Sequence, residues 1–465
     1  MNKYSYKIIN IINNVNYELK NNSIDLYKNP FIINLLNIIN NSIQTVSLYF
    51  PNIIINKQII PALHKINQYN LIYLLFSKLH TNNLIDTLFK YLPDITDYWI
   101  FIDWYNQHYH LINYDIIKNI IYKYNNDELI SLFNIIFCIS GNRHNLHKLL
   151  YDNSFISLDI QQEAETSNLF YYHLSNDEFN LFIYIPDNEL TNSLHLSYIK
   201  HILIIINIIF NIVKFYNIDV SQLSKPTVIL FLSNQKKYKP DKKLMLFTSN
   251  NVNSGMSIKQ EIIYIWRFEE YQKVLIHELI HFYGIDLNLN YKHNSHIINT
   301  FIDIDGIDYC NEAFTETLAT IIYMSYCSIN MTKDLNIIYY NEIKFEMFQI
   351  AKIIHHFNGS SFSDLFKHSL SHIIIKQNTS VVSYYIIKMF FIYNINQFIN
   401  IIEQIGLIYS RDNNSNDSLV NIYINFILKI LNDKFNDSEL IDKYIDLIIK
   451  SPPIFSINTM RMTCT

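Results

Sequence analysis

The segment from Val274 to Gly284 carries two histidines and a glutamate at a spacing that suits metal chemistry. His277 and His281 are four residues apart, so on an α-helix they lie on one face, a turn apart. Their imidazole nitrogens can then bind a single zinc ion at about 2.0–2.1 Å. Glu278 is turned by about 100° from His277, which keeps it out of the ligand set. We therefore predict two histidine ligands and Glu278 as a general base that activates water.

A second acidic segment can supply the remaining ligand. A catalytic zinc site takes three protein ligands and leaves one position open. Glu312 and Glu316 begin a strongly helical stretch and, four residues apart, share one face. One can bind the metal while the other accepts a hydrogen bond from a ligand histidine and fixes its tautomer. We predict Glu312 as the ligand and Glu316 as the supporting carboxylate. Two solvated acids on an exposed helix are the alternative.

The order of these motifs resembles a known family. Two histidines and a general base on one helix, then Asn-Glu and another acid four residues on, resemble the gluzincin pattern of thermolysin-like peptidases. The resemblance implies a zinc metallopeptidase that hydrolyses peptide bonds in a peptide or protein substrate. It also implies that Glu312 is the third ligand and that Glu316 lies behind His277. Many gluzincins carry Asp at the position of Glu316.

A narrower stretch, residues 253–286, is similar to proteins of giant DNA viruses that are assigned as metallopeptidases. The similarity rests on Asn253-Ser254-Gly255, Trp266-Arg267, Glu269-Glu270, Lys273-Val274 and the run from His277 to Asp286. The chain is also rich in Asn, Ile, Lys, Tyr and Phe, as expected from an AT-rich genome. The resemblance implies a viral protein, located in the host cytoplasm or in the virion.

A peptidase also has to hold its substrate and stabilise an oxyanion. Asn253, Ser254 and Gly255 are predicted to form an edge strand that binds an extended peptide, with an ordinary tight turn as the alternative. By resemblance to the gluzincins, a Tyr or His of the later part of the chain donates to the oxyanion. The candidates are Tyr384, Tyr385, His355 and His356, and we select Tyr385. Two other histidine pairs, His144 with His147 and His293 with His296, are interpreted as solvated.

Hydrophobic periodicity predicts how the chain is organised around these residues. Apolar residues recur at three and four positions up to about residue 155, which predicts a helical N-terminal domain. Residues 156–450 are predicted to form a zincin-like α+β domain that is predominantly α-helical. Its upper part, 156–290, holds a small mixed sheet and the active-site helix, and its lower part, 300–450, is helical. Residues 451–465 are predicted to be a frayed tail, because Pro452-Pro453 ends the last helix.

The predicted upper part contains several short elements. Two aromatic and β-branched runs, Phe170 to Leu174 and Phe179 to Ile185, predict a hairpin. A long helix from Asn192 to Tyr216 and a buried strand from Thr227 to Leu232 follow. Two further strands are predicted at Val252 to Ile258 and Ile262 to Trp266.

Composition and charge narrow the class of partner. A formal net charge of -5 with no basic cluster argues against nucleic acid as a partner. Four separated cysteines without a C-x-x-C pair suit a reducing compartment, and the N-terminus lacks the apolar core of a secretory signal. The apolar run from Ile202 to Val213 is shorter than a membrane span, so we interpret it as a buried helix.

Two alternatives to a peptidase remain at this stage. One is a catalytically silent zincin-like protein with a structural or interaction role, for example within a virion. The other is zinc-dependent hydrolysis of a bond other than a peptide bond.

Overall fold

The computed structural model describes residues 9–15, 17–20, 24–60, 146, 149–150, 153–187, 192–216, 224–240, 246–286, 298–405, 417–433, 435–450 and 459–464. Within these residues helix predominates and the strands form a small mixed sheet, which confirms the predicted α+β class. The longer helices are α1 (Pro30–Tyr49), α2 (Leu158–Thr166), α3 (Asn192–Phe215), α4 (Tyr271–Tyr283), α5 (Cys310–Met331), α6 (Leu335–His356), α7 (Lys388–Tyr393), α8 (Ile395–Ile405), α9 (Asp417–Asn432) and α10 (Ser438–Lys450). The strands are β1 (Asn56–Ile60), β2 (Leu169–Ser175), β3 (Asn180–Pro186), β4 (Thr227–Phe231), β5 (Gly255–Ile258), β6 (Ile262–Ile265), β7 (Asp303–Gly306) and β8 (Ile374–Gln377).

The chain forms two compact units. The first comprises Met1–Ile53, Thr191–Pro226 and Asn234–Thr465, and the second comprises Ile54–Leu190 and Thr227–Ser233. The predicted division near residue 155 remains a prediction, because most of the first 155 residues lie outside the described ranges.

The second unit is built on four strands. β2 and β3 form the predicted antiparallel hairpin, with Phe170 opposite Ile185, and β4 adds to β3 in parallel. β1 pairs antiparallel with β2, so the expectation that residues up to about 155 are wholly helical is wrong at this point. Here Pro51 follows the end of α1, and the Ile-rich run beyond it satisfies its main-chain groups by pairing with β2.

The first unit has the long helix α3 in its core. It packs against α1 and α4, and most of its isoleucines are buried. The helix is 24 residues long, about twice the apolar run noted in the sequence, so its length does not exclude a membrane span. Leu194–Phe215 is long and apolar enough to cross a membrane, a property that buried core helices share, and more than half of that window is buried. The absence of a membrane span therefore remains a prediction.

Helix α4, which carries His277, Glu278 and His281, is flanked at both ends by residues with left-handed backbone. Glu270, just before it, has φ 64°, and Gly284, just after it, also has φ 64°. The Gly284 N–H donates to the carbonyls of His281 and Ile280 at the end of the helix. This is the C-cap expected of glycine at this position. The two strands predicted ahead of this helix are present as β5 and β6, and they pair antiparallel. Val252, however, ends a one-turn helix (Ser249–Val252) rather than starting the strand.

The lower part, residues 300–450, and the tail after it each depart from the prediction. It is mainly helical, but β7 and β8 form a parallel pair within it, and a π-helical turn, Val382–Ile387, leads into α7. The prediction of a frayed tail is wrong for Thr459–Cys464, because all six residues are buried. Several of their main-chain groups bond to buried polar side chains of α6 and α7 and to Glu270, just before α4, which lowers the usual cost of burying irregular backbone.

Candidate metal centre

Three side chains that could bind a metal converge at the junction of α4 and α5. His277 and His281 lie one turn apart on α4, and their Nε2 atoms are 3.0 Å apart. Glu312 lies in the first turn of α5, where a carboxylate is favoured by the helix dipole. Its Oε2 is 3.4 Å from each of the two Nε2 atoms. The structure therefore brings the two histidines and Glu312 together, as their predicted roles require.

The spacing of these three atoms fits a small divalent cation. Tetrahedral ligands at zinc-to-ligand distances near 2.05 Å are about 3.3 Å apart. The separations of 3.0, 3.4 and 3.4 Å form a nearly equilateral triangle of this size. Glu312 Oε2 is also buried without a hydrogen-bond partner of good geometry among the described residues. A buried carboxylate oxygen is costly in that state, and a bound cation would remove the cost. The donor set, two imidazoles and a carboxylate, suits zinc.

Both candidate ligand histidines have a carboxylate behind them. His277 Nδ1 lies 2.9 Å from Glu316 Oε2, the partner predicted from the sequence. His281 Nδ1 lies 2.7 Å from Asp286 Oδ2, a partner that the sequence reasoning missed. Each carboxylate can accept a hydrogen bond from a protonated Nδ1. The lone pair on Nε2 then points into the triangle formed by the three candidate ligand atoms. Asp286 follows His281 by five residues, just beyond the turn at Gly284. This short separation in sequence is the signal from which Asp286 could have been predicted.

Burial and neighbouring charges set the pKa values of these groups. Burial lowers the pKa of His277 to about 4, against the opposing effect of Glu312. Burial also acts to lower the pKa of His281, but the nearby carboxylates of Glu312 and Asp286 have a larger opposite effect. The pKa of His281 is therefore raised well above its ordinary value. Burial raises the pKa of Glu278 to about 7, although His281 and a hydrogen bond with Ser257 oppose the shift. A carboxyl with a pKa near neutrality suits proton transfer in both directions.

Glu278 lies against the beginning of β5. A Cβ built on Gly255 would be 2.7 Å from Glu278 Oε1 and 2.6 Å from Val274 Cγ1. Any residue larger than glycine would therefore displace the Glu278 carboxylate. Among the described strands, β5 pairs with β6 alone, which makes it an edge. Asn253 and Ser254 precede it, and the Ser254 carbonyl accepts from Trp266 N at 3.0 Å. The predicted peptide-binding strand is thus an edge next to Glu278 and begins at Gly255.

We expect Gly255→Ala to lower any hydrolytic activity at this site roughly a hundredfold, because about 1 Å of misplacement at a reacting group costs that much. The added methyl group would push Glu278 without touching the candidate ligands, so metal affinity should be unchanged. The measurement is kcat together with zinc content. Gly359→Ala is the control, because its Cβ would meet Ile354 Cγ2 at 2.5 Å away from these residues. Equal losses in both variants would point to general destabilisation.

Of the two adjacent tyrosines, Tyr384 lines the cavity beside the candidate ligands, whereas Tyr385, the residue predicted from the sequence, does not. Tyr385 is fully buried and donates to the Met460 carbonyl at 3.0 Å. Tyr384 is half-buried, and its ring centre is 6.3 Å from that of His277. Burial, with Glu312 and Glu278 nearby, raises the pKa of Tyr384 well above its ordinary value, which keeps the hydroxyl protonated as a donor. Both lie in the π-helical turn, where consecutive side chains point in different directions.

A small cavity lies beside these residues. It is open to solvent, spans about 290 Å³ with that open space included, and is lined by Val252, Asn253, Ser254, Gly255, Lys273, Val274, His277, Glu278, Glu316, Tyr384 and Met462. The catalytic candidates Glu278 and Tyr384 thus share a cavity with the edge strand. Met462 reaches it from the segment that was predicted to be frayed.

Among the described residues, the other candidate histidines, His355 and His356, do not add to this centre. His356 packs its ring against Phe247, with 5.2 Å between ring centres, and His355 is half-buried at the end of α6. His144, His147, His293 and His296 lie outside the described residues. Within the described part of the chain, His277, His281 and Glu312 form the one cluster of metal-binding type.

Comparison of the chain with protein-family models, with curated proteins and with solved structures finds no match. The function is therefore argued from the geometry of this centre and from the chemistry of its residues.

Proposed function

We propose that the chain is a zinc-dependent peptidase of the gluzincin type, with a zincin-like domain around α4 and α5. The observation that carries the proposal is the triangle formed by His277, His281 and Glu312, with a glutamate of raised pKa next to it. These three residues would hold the ion. A bound zinc ion would supply Lewis acidity, which makes water more acidic and polarises a carbonyl group.

The remaining chemistry belongs to the side chains of the cavity. Glu278 would accept a proton from the attacking water and return it to the leaving amine, for which a pKa near 7 is suited. Tyr384 would donate a hydrogen bond to the oxygen that becomes negative in the transition state. The free edge of β5 would align an extended peptide by main-chain hydrogen bonds, so we propose a peptide or protein substrate.

The direct test is cleavage of a mixture of unstructured peptides by the full chain, followed by mass spectrometry. Cleavage should stop when a chelator removes the metal and return when zinc is added. Zinc binding without cleavage of any peptide would favour the silent, structural alternative. Cleavage of an ester or phosphate substrate, with peptides untouched, would favour the other hydrolase.

We expect Tyr384→Phe to lower kcat roughly 10²–10³-fold, the usual loss when one oxyanion donor is removed. Zinc affinity and KM should change by only a few fold, because the phenol is not a ligand in this proposal. Tyr385→Phe is the matched control, since its hydroxyl binds the Met460 carbonyl, and it should keep its kcat. Steady-state kinetics of the two variants measures the difference. A larger loss in Tyr385→Phe than in Tyr384→Phe would contradict this assignment.

A further inference from the structure

A network of buried charges surrounds Glu316, the carboxylate behind His277. Glu316 Oε2 faces His277 Nδ1, and Oε1 accepts from two ammonium groups, those of Lys273 and Lys388. The side chains of Glu316 and of both lysines are at most 1% exposed. The two oxygens of this carboxylate therefore have different partners, the histidine on one and the lysines on the other.

Each lysine is itself held in place. Lys388, the first residue of α7, lies 2.7 Å from Glu346 Oε1 of α6 and donates to the Met462 carbonyl. Lys273 lies on α4, one turn before His277, and its Nζ is 3.7 Å from Met462 Sδ. Lysines of α4 and α7 thus contact one glutamate, Glu316, and α6 is connected to it through Lys388.

The buried segment Thr459–Cys464 closes this network. Glu270 Oε1 accepts the N–H groups of Met462 and Thr463, each at 2.7 Å. Gln349 donates to the Arg461 carbonyl at 2.6 Å, and Lys352 donates to the Thr459 carbonyl at 2.7 Å. Because its main chain is bound at several points, this segment presents the Met462 carbonyl to Lys388 in one fixed position.

Such a network is not explained by stability alone. Burying charges is costly, and well-packed apolar residues of similar volume are often as stabilising as a buried ion pair. A function in orienting Glu316 explains it better. A glutamate has one more rotatable bond than an aspartate, so its carboxylate could turn, exchange its oxygens or swing towards the ligand triangle. Two donors on Oε1 prevent this and leave Oε2 for His277.

We propose that Lys273 and Lys388 are positioning residues of the metal centre, which hold Glu316 so that one oxygen faces His277 Nδ1. The inference rests on the proposed function, because it assumes that His277 Nε2 binds a metal. The Nδ1 proton then stays on the side of Glu316 and the Nε2 lone pair stays on the side of the metal. Burial and the nearby Lys388 lower the pKa of Lys273, but an amine in either charge state still donates to Oε1.

The test compares zinc affinities of the full-length protein and its variants by competition with a chelator. Lys388→Met is made together with Glu346→Gln, so that neither member of that pair is left as an isolated buried charge, and Glu346→Gln alone is its control. Lys273→Met is compared with Lys352→Met, which removes an equally buried lysine that donates to Thr459 and leaves the two Glu270 contacts that fix Met462 and Thr463. Both lysine variants should bind zinc more weakly than their controls, by up to roughly 10–100-fold, because that is the cost of losing the outer partner of a ligand and each variant removes one of the two donors that hold this partner, Glu316.

A second measurement separates positioning from general damage. The visible absorption of the cobalt-substituted protein should change in the Lys388→Met, Glu346→Gln variant and stay as in the wild type in Glu346→Gln and Lys352→Met. Thermal unfolding of the metal-free proteins shows which variants are folded. The inference is overturned if the folded double variant binds zinc as tightly as Glu346→Gln with an unchanged cobalt spectrum. If the wild-type chain binds no zinc, the proposed function itself fails. Zinc binding by the wild-type chain therefore distinguishes failure of the proposed function from failure of this inference alone.

Discussion

Glu278→Gln is expected to keep one zinc ion per chain and to lose nearly all peptide cleavage. Glu278 is not part of the ligand triangle, and an amide of the same shape preserves the packing against Gly255. It cannot accept a proton, so kcat should fall about 10³-fold, within the range known for general acid–base groups. The measurement is kcat on a peptide substrate, with the zinc content of the same sample.

A near-isosteric control is available on the same face of the site. Ser257→Ala removes the hydrogen bond that opposes the raised pKa of Glu278, but leaves the carboxylate in place. It should retain most of the activity. Equal turnover by the wild type and Glu278→Gln would show that another group, or no protein group, takes the proton.

His277→Ala, His281→Ala and Glu312→Ala are each expected to lose tight zinc binding. Each removes one corner of the triangle, and two ligands make a poor zinc site. The loss should exceed the roughly 10–100-fold cost of removing an outer partner of a ligand. His173→Ala serves as the histidine control, because His173 lies in the hairpin, stacked on Phe182. Zinc affinity of the four variants is measured by chelator competition. Retention of wild-type affinity by any of the first three would remove that residue from the ligand set.

The local part of the site could be predicted from the sequence because helical geometry is regular. Residues four apart on a helix share a face, so the His277 and His281 pair and the Glu312 and Glu316 pair could be predicted from spacing alone. Their convergence could not, because it depends on how α4 packs on α5. The family resemblance supplied that step, and the distances around Glu312 Oε2 agree with it.

The residues that were missed depend on contacts distant in sequence. Lys388 and Glu316 are 72 residues apart, and Lys273 and Met462 are 189 apart, so no local pattern connects them. Neighbouring tyrosines could not be distinguished either. The π-helical turn shifts the direction of each side chain relative to a regular α-helix, so ordinary helical counting cannot decide between Tyr384 and Tyr385.

The wrong prediction for the end of the chain has the same cause, because the burial of this segment depends on contacts between residues distant in sequence. Two prolines after Lys450 at the end of a chain are typical of a frayed tail. Burial of Thr459–Cys464 is made possible by polar partners such as Glu270 and Gln349, which lie more than 100 residues away. A buried lysine or glutamate cannot be distinguished from an exposed one by its residue type, and most such residues are exposed.

The proposed metal centre is tested most directly by X-ray absorption at the zinc edge on the full chain loaded with one equivalent of zinc and then desalted. We expect the zinc to be retained, with two imidazole nitrogens and oxygen ligands at about 2.0–2.2 Å, and one imidazole fewer in His281→Ala. Loss of all zinc on desalting, or a spectrum of six oxygen ligands without imidazole, would contradict the assignment of His277, His281 and Glu312.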